Sequence, residues 1–214
     1  MKRAPLIARQ VIRAYSSTGQ NVPPLSSSSS STSNKLTPEQ RSKLIAMLRV
    51  DHAGEIGADF IYRGQLAVLG STSDAGRTVK RMHEQEELHL KSFDTILANN
   101  RVRPSALRPL WETAGFAMGV GSALLGKEAA MACTEAVETV IGEHYNDQLR
   151  ELLKMEGNED VAKLQQVIKD FRDDELEHLD TAVNYDAHQA PLYTPLTAVI
   201  KQTCRVAIWV AQRI

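Results

Sequence analysis

The sequence has few cysteines and no excess of either charge, and both shortages exclude broad classes of protein. Among its 214 residues are two cysteines, Cys133 and Cys204, too few for a disulfide framework and without the C-x-x-C spacing of a thiolate metal site. Its 25 lysines and arginines are balanced by 26 aspartates and glutamates, so it lacks the basic excess of a nucleic-acid-binding domain. We therefore expect a reducing compartment and no nucleic-acid partner.

Acidic residues are missing from the first 38 positions, which carry only basic charges: Lys2, Arg3, Arg9, Arg13 and Lys35. Leucine, isoleucine and valine are mixed with these arginines, and a run of serines follows. Such a start is typical of a mitochondrial transit peptide, and the residues around Tyr15 and Ser16 resemble a matrix-protease site. We assign residues 1–36 to a transit peptide and a disordered Ser-rich linker, and residues 37–214 to one domain. An ordinary disordered tail is the alternative for the first segment.

Strand-like alternation is also absent beyond a few residues, whereas apolar residues recur with helical spacing after the serine run. A T-x-x-Q capping box at Thr37, with Pro38 in the first turn, begins the first helix. The pattern predicts five helices, the first ending near residue 69 and the others covering about 74–98, 109–155, 158–186 and 196–213. The expected fold is therefore all-α, an antiparallel helix bundle.

Two Glu-x-x-His motifs and two single glutamates occur at matching places in these helices. Residues three apart leave a helix from the same face, so each motif presents a carboxylate together with an imidazole. The single glutamates lie among small and apolar neighbours, as core-facing residues do. In chain order the set is Glu55, Glu86, His89, Glu138, Glu175 and His178. The gaps of 31 residues from Glu55 to Glu86 and of 37 from Glu138 to Glu175 suit two antiparallel helix pairs.

Carboxylates gathered inside a bundle need compensating charge, because burying one of them unpaired costs on the order of several kcal/mol. Two divalent cations would supply that charge, and oxygen and nitrogen ligands without sulfur favour iron or manganese over copper. The same ligand set, one Glu from each of two helices and one Glu-x-x-His from each of two others, is found in ferritin-like di-iron proteins. The alternative is that all six side chains lie on solvated helix faces.

The other polar residues near these motifs have less specific interpretations. Asp51 and His52 would either contact the predicted ligands from outside or lie at the surface. Five further acids we assign to solvated helix faces: Glu84, Glu87, Asp173, Asp174 and Glu177.

Long segments of the chain resemble a known family. They read RVDHAGEIGA, IYRGQLAVLG, GSALLGKEAAMACTEAVE, HYNDQL and FRDDELEHLDTA. Together they resemble the mitochondrial demethoxyubiquinone hydroxylases, the Coq7 or Clk-1 family, from about residue 40 to the end of the chain. The resemblance implies a ferritin-like four-helix bundle with an additional interfacial or C-terminal helix. It also implies two iron ions held by the six residues above, with Glu86 and Glu175 near both ions.

The resemblance further implies a reaction, O₂-dependent hydroxylation of the ring of a polyprenylated demethoxyubiquinone (2-polyprenyl-3-methyl-6-methoxy-1,4-benzoquinol). One oxygen atom would enter the ring and the other would leave as water, with NADH as the ultimate electron donor. His144 and Tyr145 resemble a pair that relays charge between quinone and metal, with ordinary packing as the alternative. The implied location is the matrix side of the mitochondrial inner membrane. Other ubiquinone-biosynthesis proteins, among them a lipid-binding partner, are the expected protein contacts.

The chain must meet such a lipid without crossing the bilayer, because no apolar run reaches the roughly 20 residues that span one. Residues 114–126 carry no charge and are rich in small side chains, which suits a helix lying in the membrane interface. A tight helix–helix contact is the alternative for this run. The final segment mixes apolar residues with Lys201, Arg205 and Arg213 and suits a second interfacial helix. We expect peripheral attachment.

Two other functions stay open from the sequence. A ferroxidase or iron-storage protein would share the architecture but would not need the apolar flank. A non-catalytic scaffold of quinone biosynthesis would share the flank but would gain nothing from buried carboxylates.

Overall fold

The structure, a computed structural model, describes residues 36–155 and 157–214, and these contain six α-helices, one short 3₁₀ turn and no strand. The α-helices are α1 (Pro38–Leu69), α2 (Asp74–Asn100), α3 (Arg108–Leu124), α4 (Lys127–Leu153), α5 (Glu159–Asn184) and α6 (Tyr193–Ala211). The all-α prediction is confirmed. The predicted transit peptide and linker lie outside the described residues, except for Leu36.

Helix starts follow the signals in the sequence. At the start of α1 the backbone N–H of Gln40 donates to Thr37 Oγ1 and the N–H of Thr37 donates to Gln40 Oε1, which completes the predicted capping box. Asn158 caps α5 as predicted, since its side-chain oxygen accepts from the backbone N–H groups of Asp160 and Val161. These caps fix where the two helices begin.

The predicted third helix, from about residue 109 to 155, was wrong because it is two helices. α3 ends at Leu124 and α4 begins at Lys127, with Gly126 between them at φ +114°. That backbone conformation is strained for any residue with a Cβ, and glycine adopts it without that cost. The chain therefore turns at Gly126, and α3 becomes a separate element.

Four helices form the bundle as two antiparallel pairs, α1 with α2 and α4 with α5. The remaining two cover it from outside, because α3 packs along α1 and α6 packs along α4. Large apolar side chains fill both ends of the bundle, around Leu48 and Phe93 at one end and around Tyr62 and Met82 at the other. The polar residues predicted as ligands lie between these two apolar clusters.

The uncharged run 114–126 forms the tight helix–helix contact given above as the alternative, while its role at a membrane stays a prediction. Its small face packs tightly on α1: a Cβ built on Gly115 would lie 2.6 Å from the carbonyl oxygen of Gly57, and one built on Gly119 would lie 2.0 Å from that of Ile61. Its other face leaves large apolar side chains such as Phe116 and Leu124 in solvent. No helix within the described ranges combines the length and apolar character needed to cross a bilayer.

Candidate metal centre

The structure brings all six predicted ligands together in the middle of the bundle. One group consists of Glu55, Glu86, His89 and Glu175, and the other of Glu86, Glu138, Glu175 and His178. Within each group the candidate ligand atoms lie within 4.8 Å of one another, and every residue is buried. Glu86 and Glu175 belong to both groups, as expected for carboxylates placed near two ions.

The two shared carboxylates reach both histidines. Glu86 approaches His178 Nδ1 through Oε1 at 3.0 Å and His89 Nδ1 through Oε2 at 3.7 Å. Glu175 approaches His89 Nδ1 through Oε1 at 3.2 Å and His178 Nδ1 through Oε2 at 3.1 Å. Each carboxylate thus offers one oxygen to each half of the centre, which is the arrangement of a bridging ligand.

The outer nitrogen of each histidine meets an acceptor from the opposite motif. His89 Nε2 lies 3.1 Å from Asp174 Oδ2, and His178 Nε2 lies 3.2 Å from Gln85 Oε1. An oxygen acceptor at Nε2 places a hydrogen there, so Nδ1 is the nitrogen that faces the carboxylates and that would bind a cation once deprotonated. Metal-binding histidines are held by the same kind of outer hydrogen bond.

Two buried tyrosines hold the single glutamates. Tyr145 donates to Glu55 Oε1 at 2.5 Å, and Tyr62 donates to Glu138 Oε1 at 2.8 Å. Burial, followed by the nearby carboxylates, raises the pKa of both phenols well above the ordinary value of 10.0. The tyrosines therefore remain neutral donors and orient one oxygen of each glutamate.

The carboxylates of the centre differ in how easily they ionise when no cation is present. Burial, and then the neighbouring carboxylate Glu86 or Glu175, raises the pKa of Glu55 and of Glu138 well above the usual carboxyl value of 4.5. For Glu86, burial acts in the same direction, but the adjacent imidazoles of His178 and His89 outweigh it and lower the pKa. Two of the four glutamates therefore resist ionisation in the absence of positive charge.

These residues fit a pair of cations. Glu55 Oε2, Glu86 Oε1 and His89 Nδ1 are buried and form no hydrogen bond with any residue of 36–155 or 157–214, although other ligand atoms lie close by. Buried polar atoms that converge without hydrogen-bond alignment are unfavourable unless a further charge lies between them. The donor set, four carboxylates and two imidazoles without sulfur, suits iron or manganese.

The acids assigned to solvated faces are mostly where we expected them. Glu84, Glu87 and Asp173 are exposed, and Glu177 forms an ion pair with Arg81 at 3.4 Å. The assignment of Asp174 to a solvated face was wrong, because its side chain is half-buried and contacts His89. Position explains the difference: Asp174 directly precedes Glu175 on the face that turns toward α2.

Asp51 and His52 are both buried, so the surface alternative was wrong for each. His52 Nε2 lies 2.9 Å from Asp94 Oδ1 and joins α1 to α2 away from the ligands. Asp51 instead accepts a hydrogen bond from Gln148 Nε2 at 2.5 Å. Within the described residues neither side chain forms a hydrogen bond or ion pair with a predicted ligand, so both differ from Asp174 in their role.

His144 and Tyr145, the predicted relay pair, lie next to the centre with their ring centroids 6.4 Å apart. Tyr145 contacts Glu55 directly, whereas His144 contacts Gln148 and lies 3.4 Å from Asp51. The two side chains therefore face different partners. A role in charge relay stays a prediction.

An internal repeat relates three residues that the sequence analysis did not place at the centre, Tyr62, Gln85 and Asp174, to each other or to Tyr145. Tyr62 follows Glu55 by seven residues, as Tyr145 follows Glu138. Gln85 directly precedes Glu86, as Asp174 directly precedes Glu175. Each of these side chains then pairs with the other half of the repeat, a contact that the spacing alone does not disclose.

A third cluster of Asp59, His83 and Glu87 has ligand-like spacing but a different balance of charge. Asp59 is buried and already receives Arg63 at 3.0 Å and His83 at 2.7 Å. The arginine supplies the positive charge that a cation would otherwise bring. This cluster is a buried ion-pair network that joins α1 to α2.

Both cysteines lie outside the centre. Burial raises the pKa of Cys133 and of Cys204 to about 12, so both are neutral thiols near pH 7. Cys133 is fully buried and packs with Ala136 and Ile200. The expectation of no thiolate metal chemistry agrees with this placement.

A cavity of about 330 Å³ leads from the carboxylates to the surface between α3 and α6. Its volume lies within the range of roughly 300–1,000 Å³ found for small-molecule sites. Glu55, Glu138 and Tyr145 line its inner part, and exposed Leu110 and Val206 lie at its outer part. Apolar residues form most of the wall between them: Val50, Ala53, Ile61, Met118, Val137 and Ile141.

Comparison with known proteins gives a consistent result. Residues 42–211 match the family model described as "Ubiquinone biosynthesis protein COQ7". The chain is 51% identical over 183 residues to the "NADPH-dependent 3-demethoxyubiquinone 3-hydroxylase, mitochondrial" of Rattus norvegicus, covering 86% of this chain and 83% of that protein. It is 50% identical over 190 residues to the "5-demethoxyubiquinone hydroxylase, mitochondrial" of Saccharomyces cerevisiae, covering 84% and 82%. It is 46% identical over 177 residues to the "3-demethoxyubiquinol 3-hydroxylase" of Rhodospirillum rubrum, covering 83% and 81%.

Proposed function

The chain belongs to the COQ7 family of ubiquinone biosynthesis proteins, and from this premise we propose that it is an O₂-dependent di-iron monooxygenase. Hydroxylation of a demethoxyubiquinone ring is the activity carried in the names of its relatives. The substrate of this chain would be a polyprenylated ring of that kind. The observation that carries the proposal is the cavity, which joins a centre of four glutamates and two histidines to an apolar surface.

Iron is the cation that suits both the donor set and the reaction. Glu55, Glu138 and the two Glu-x-x-His motifs would hold two ions, with Glu86 and Glu175 between them. When bound, iron supplies the reduction of O₂ that organic side chains cannot perform. Manganese would fit the same ligands but is less suited to O₂ activation.

The protein residues around the centre would bind the ring and keep water away from it. The apolar wall of the cavity favours a ring and the first part of a prenyl chain over solvent. Tyr62 and Tyr145 hold the outer oxygens of Glu138 and Glu55 and keep these carboxylates in fixed orientations. His144 lies in the cavity wall, where it can contact the ring.

Membrane attachment would follow from the apolar residues beside the cavity. Phe116 and Leu124 on α3 and Val199, Val206 and Trp209 on α6 are exposed. Exposed apolar side chains on two neighbouring helices suit insertion into the headgroup region of a bilayer. A prenylated substrate would then enter the cavity from the lipid. The names of these relatives support a mitochondrial location, within which we propose the matrix side of the inner membrane.

Hydroxylation by O₂ requires an external electron donor. The resemblance suggested NADH, whereas the names of several relatives specify NADPH. Both cofactors deliver the same hydride, and we propose a reduced nicotinamide as the ultimate donor. Rates measured with each nicotinamide over the same purified protein would decide between them. Other ubiquinone-biosynthesis proteins, including a lipid-binding one, stay predicted partners.

A direct experiment separates this function from iron storage. Protein loaded anaerobically with iron is mixed with a short-tailed demethoxyquinol and ¹⁸O₂, and the product is analysed by mass spectrometry. We expect one labelled oxygen in the ring and about two irons per chain. Glu86→Ala should abolish both, while Glu84→Ala, two residues away on the exposed face, should preserve both. Repeated iron oxidation without ring hydroxylation would instead identify a ferroxidase.

A further inference from the structure

A buried polar corner lies in the wall of the cavity, apart from the six predicted ligands. It consists of Asp51 on α1 and of His144 and Gln148, which are one turn apart on α4. Asp51 and His144 line the cavity, and Gln148 lies behind them. Asp51 is only 4% exposed and Gln148 only 3%, so any further partner of these groups must be a molecule in the cavity.

The hydrogen bonds within the polar corner determine what each group still offers. Gln148 Nε2 donates to Asp51 Oδ1 at 2.5 Å and lies 3.0 Å from His144 Nε2. His144 Nε2 also lies 3.4 Å from Asp51 Oδ1, so this ring nitrogen faces both Gln148 and Asp51 Oδ1. Neither contact involves the second carboxylate oxygen, Asp51 Oδ2.

The second carboxylate oxygen of Asp51, Oδ2, has no hydrogen-bond partner among the described residues, 36–155 and 157–214. It is also buried. Gln148 holds the companion oxygen, Oδ1. If the carboxylate rotated to bring Oδ2 to Gln148, Oδ1 would lose that donor, so one of the two oxygens is always left without it. A buried carboxylate oxygen in the wall of a cavity is favourable only when the cavity supplies a donor.

The cavity is unusual in the kind of polar group that it presents. With cations bound, Glu55 and Glu138 are ionised and offer no donor, and the Tyr145 hydroxyl is already committed to Glu55. A quinone ring carries only acceptor oxygens, whereas a quinol ring carries two O–H donors. A wall group that only accepts hydrogen bonds therefore favours the quinol over the quinone.

We propose that Asp51 Oδ2 accepts a hydrogen bond from a ring hydroxyl, and that the polar corner thereby selects the reduced, quinol form of the substrate. This inference rests on the proposed function, because it takes the cavity to be the site of the ring. Asp51 would be a specificity-determining residue, and Gln148 would position it. Asp51→Asn keeps the shape of the side chain and removes the charge that makes it a strong acceptor.

The experiment first establishes where the ring binds. The chain has two tryptophans, of which Trp111 lines the cavity and Trp209 is exposed on α6. In a Trp209→Phe background, a short-tailed oxidised quinone should quench Trp111 fluorescence on binding. Absence of quenching in every variant would contradict the cavity as the ring site, and it would overturn the proposed function and this inference together.

Competition against that quinone then tests Asp51 alone. The competitors are an alkylphenol and its methyl ether, which differ in the O–H donor and do not react. We expect the phenol to bind about 10-fold or more tightly than the ether, as for a hydrogen bond to a charged acceptor. In Asp51→Asn this ratio should fall to within about 3-fold, while the affinity for the oxidised quinone changes little.

Asp59→Asn is the matched control, because Asp59 is a buried carboxylate on the same helix outside the cavity wall. It should preserve the phenol-to-ether ratio. An unchanged ratio in Asp51→Asn would overturn the inference, and so would an equal loss for phenol and ether, which indicates a merely structural role. Should Asp51→Asn fail to fold, Asp51→Ser, which leaves Gln148 a small acceptor, is measured in the same way.

Discussion

At the scale of single residues, each half of the centre is held by side chains from the other half. His89 and His178 meet Asp174 and Gln85, respectively, across the bundle. The single glutamates receive the two tyrosines in the same crossed manner. Such outer contacts fix the ligand rings and carboxylates in one orientation, so the centre is arranged before a cation arrives.

The first prediction concerns one of these outer contacts. Asp174→Asn should lower metal affinity about 10- to 100-fold, because a neutral amide holds His89 Nε2–H less strongly and makes the imidazole a weaker ligand. Competition with a chelator of known affinity measures the change. Asp173→Asn is the control, because Asp173 is the exposed neighbour of Asp174 and forms an ion pair with Arg172. Equal affinities for the two variants would show that Asp174 does not support the ligand.

The second prediction concerns pH and the metal-free protein. Glu55, Glu138, His89 and His178 all have a raised pKa in the folded chain, the glutamates because of burial and the histidines because of their carboxylate partners, which outweigh burial. Each of these groups holds its proton more tightly when folded, so stability must fall as pH rises through these pKa values. The histidine contribution is complete below about pH 6.5 and is lost above it. Glu86 has the opposite sign, but its lowered pKa confines its effect to acidic pH.

Bound cations replace these protons, so the stabilisation by metal should grow with pH. We therefore expect the melting temperature of the chelator-treated protein to decrease between pH 6 and pH 9. The difference between metal-loaded and metal-free protein should widen over the same range. Calorimetry of both forms measures this. A metal-free protein that becomes more stable toward pH 9 would contradict the assigned pKa directions.

Single residues also show how far sequence reasoning reaches. The six candidate ligands could be found from i, i+3 spacing and from their order along the chain. Asp174 could not be told from its exposed neighbour Asp173, because the two differ only in which way the helix face points. That direction is decided by the packing of α5 against α4 and α2, which local sequence does not contain.

At the scale of elements, α3 is the helix that departs from the simple bundle. Its glycines allow its backbone to lie directly on α1, and the helix then exposes its larger side chains to solvent. The sequence suggested continuity between α3 and α4 because apolar and small residues run through both. Gly126, with its positive φ, ends that continuity. The sequence alone does not indicate whether a glycine in a helical pattern lies within a helix or ends it.

The third prediction tests this contact with two glycines of α3. Gly119→Ala should destabilise the protein, because the added Cβ would meet the carbonyl oxygen of Ile61 at 2.0 Å and force the helices apart. Gly121→Ala should be neutral or stabilising by up to about 1 kcal/mol, since a Cβ there meets nothing within 4 Å and alanine favours a helix. Chemical denaturation of both variants measures the difference. Similar stabilities would indicate that α3 does not pack as described.

At the scale of the whole molecule, the bundle places its apolar surface and its polar centre at the two ends of one cavity. The surface residues come from α3 and α6, which cover α1 and α4 from outside. Length and hydrophobicity predicted that the chain attaches to a membrane without crossing it. The position of the cavity between the two covering helices could not be predicted, because it depends on how each helix packs on the bundle.

The last prediction links membrane binding to activity. Leu124 on α3 and Leu153 at the end of α4 are both exposed leucines, at 70% and 56%, but only Leu124 lies on the covering helices. Leu124→Glu should weaken binding to liposomes roughly 10-fold or more, because a carboxylate resists entry into the interface. Leu153→Glu should have little effect. Sedimentation with liposomes that contain anionic lipid measures both variants.

Activity assays on two substrates then distinguish loss of access to the lipid substrate from damage to the metal centre. Leu124→Glu should keep its iron and its activity on a short, water-soluble quinol, since Leu124 contacts neither the predicted ligands nor the cavity wall. Its activity on a long-tailed substrate in liposomes should fall in parallel with binding. Loss of iron and of both activities would mean that this end of α3 stabilises the bundle instead. Unchanged activity in liposomes would direct attention to α6, where Trp209→Glu repeats the test at an exposed residue of the other covering helix.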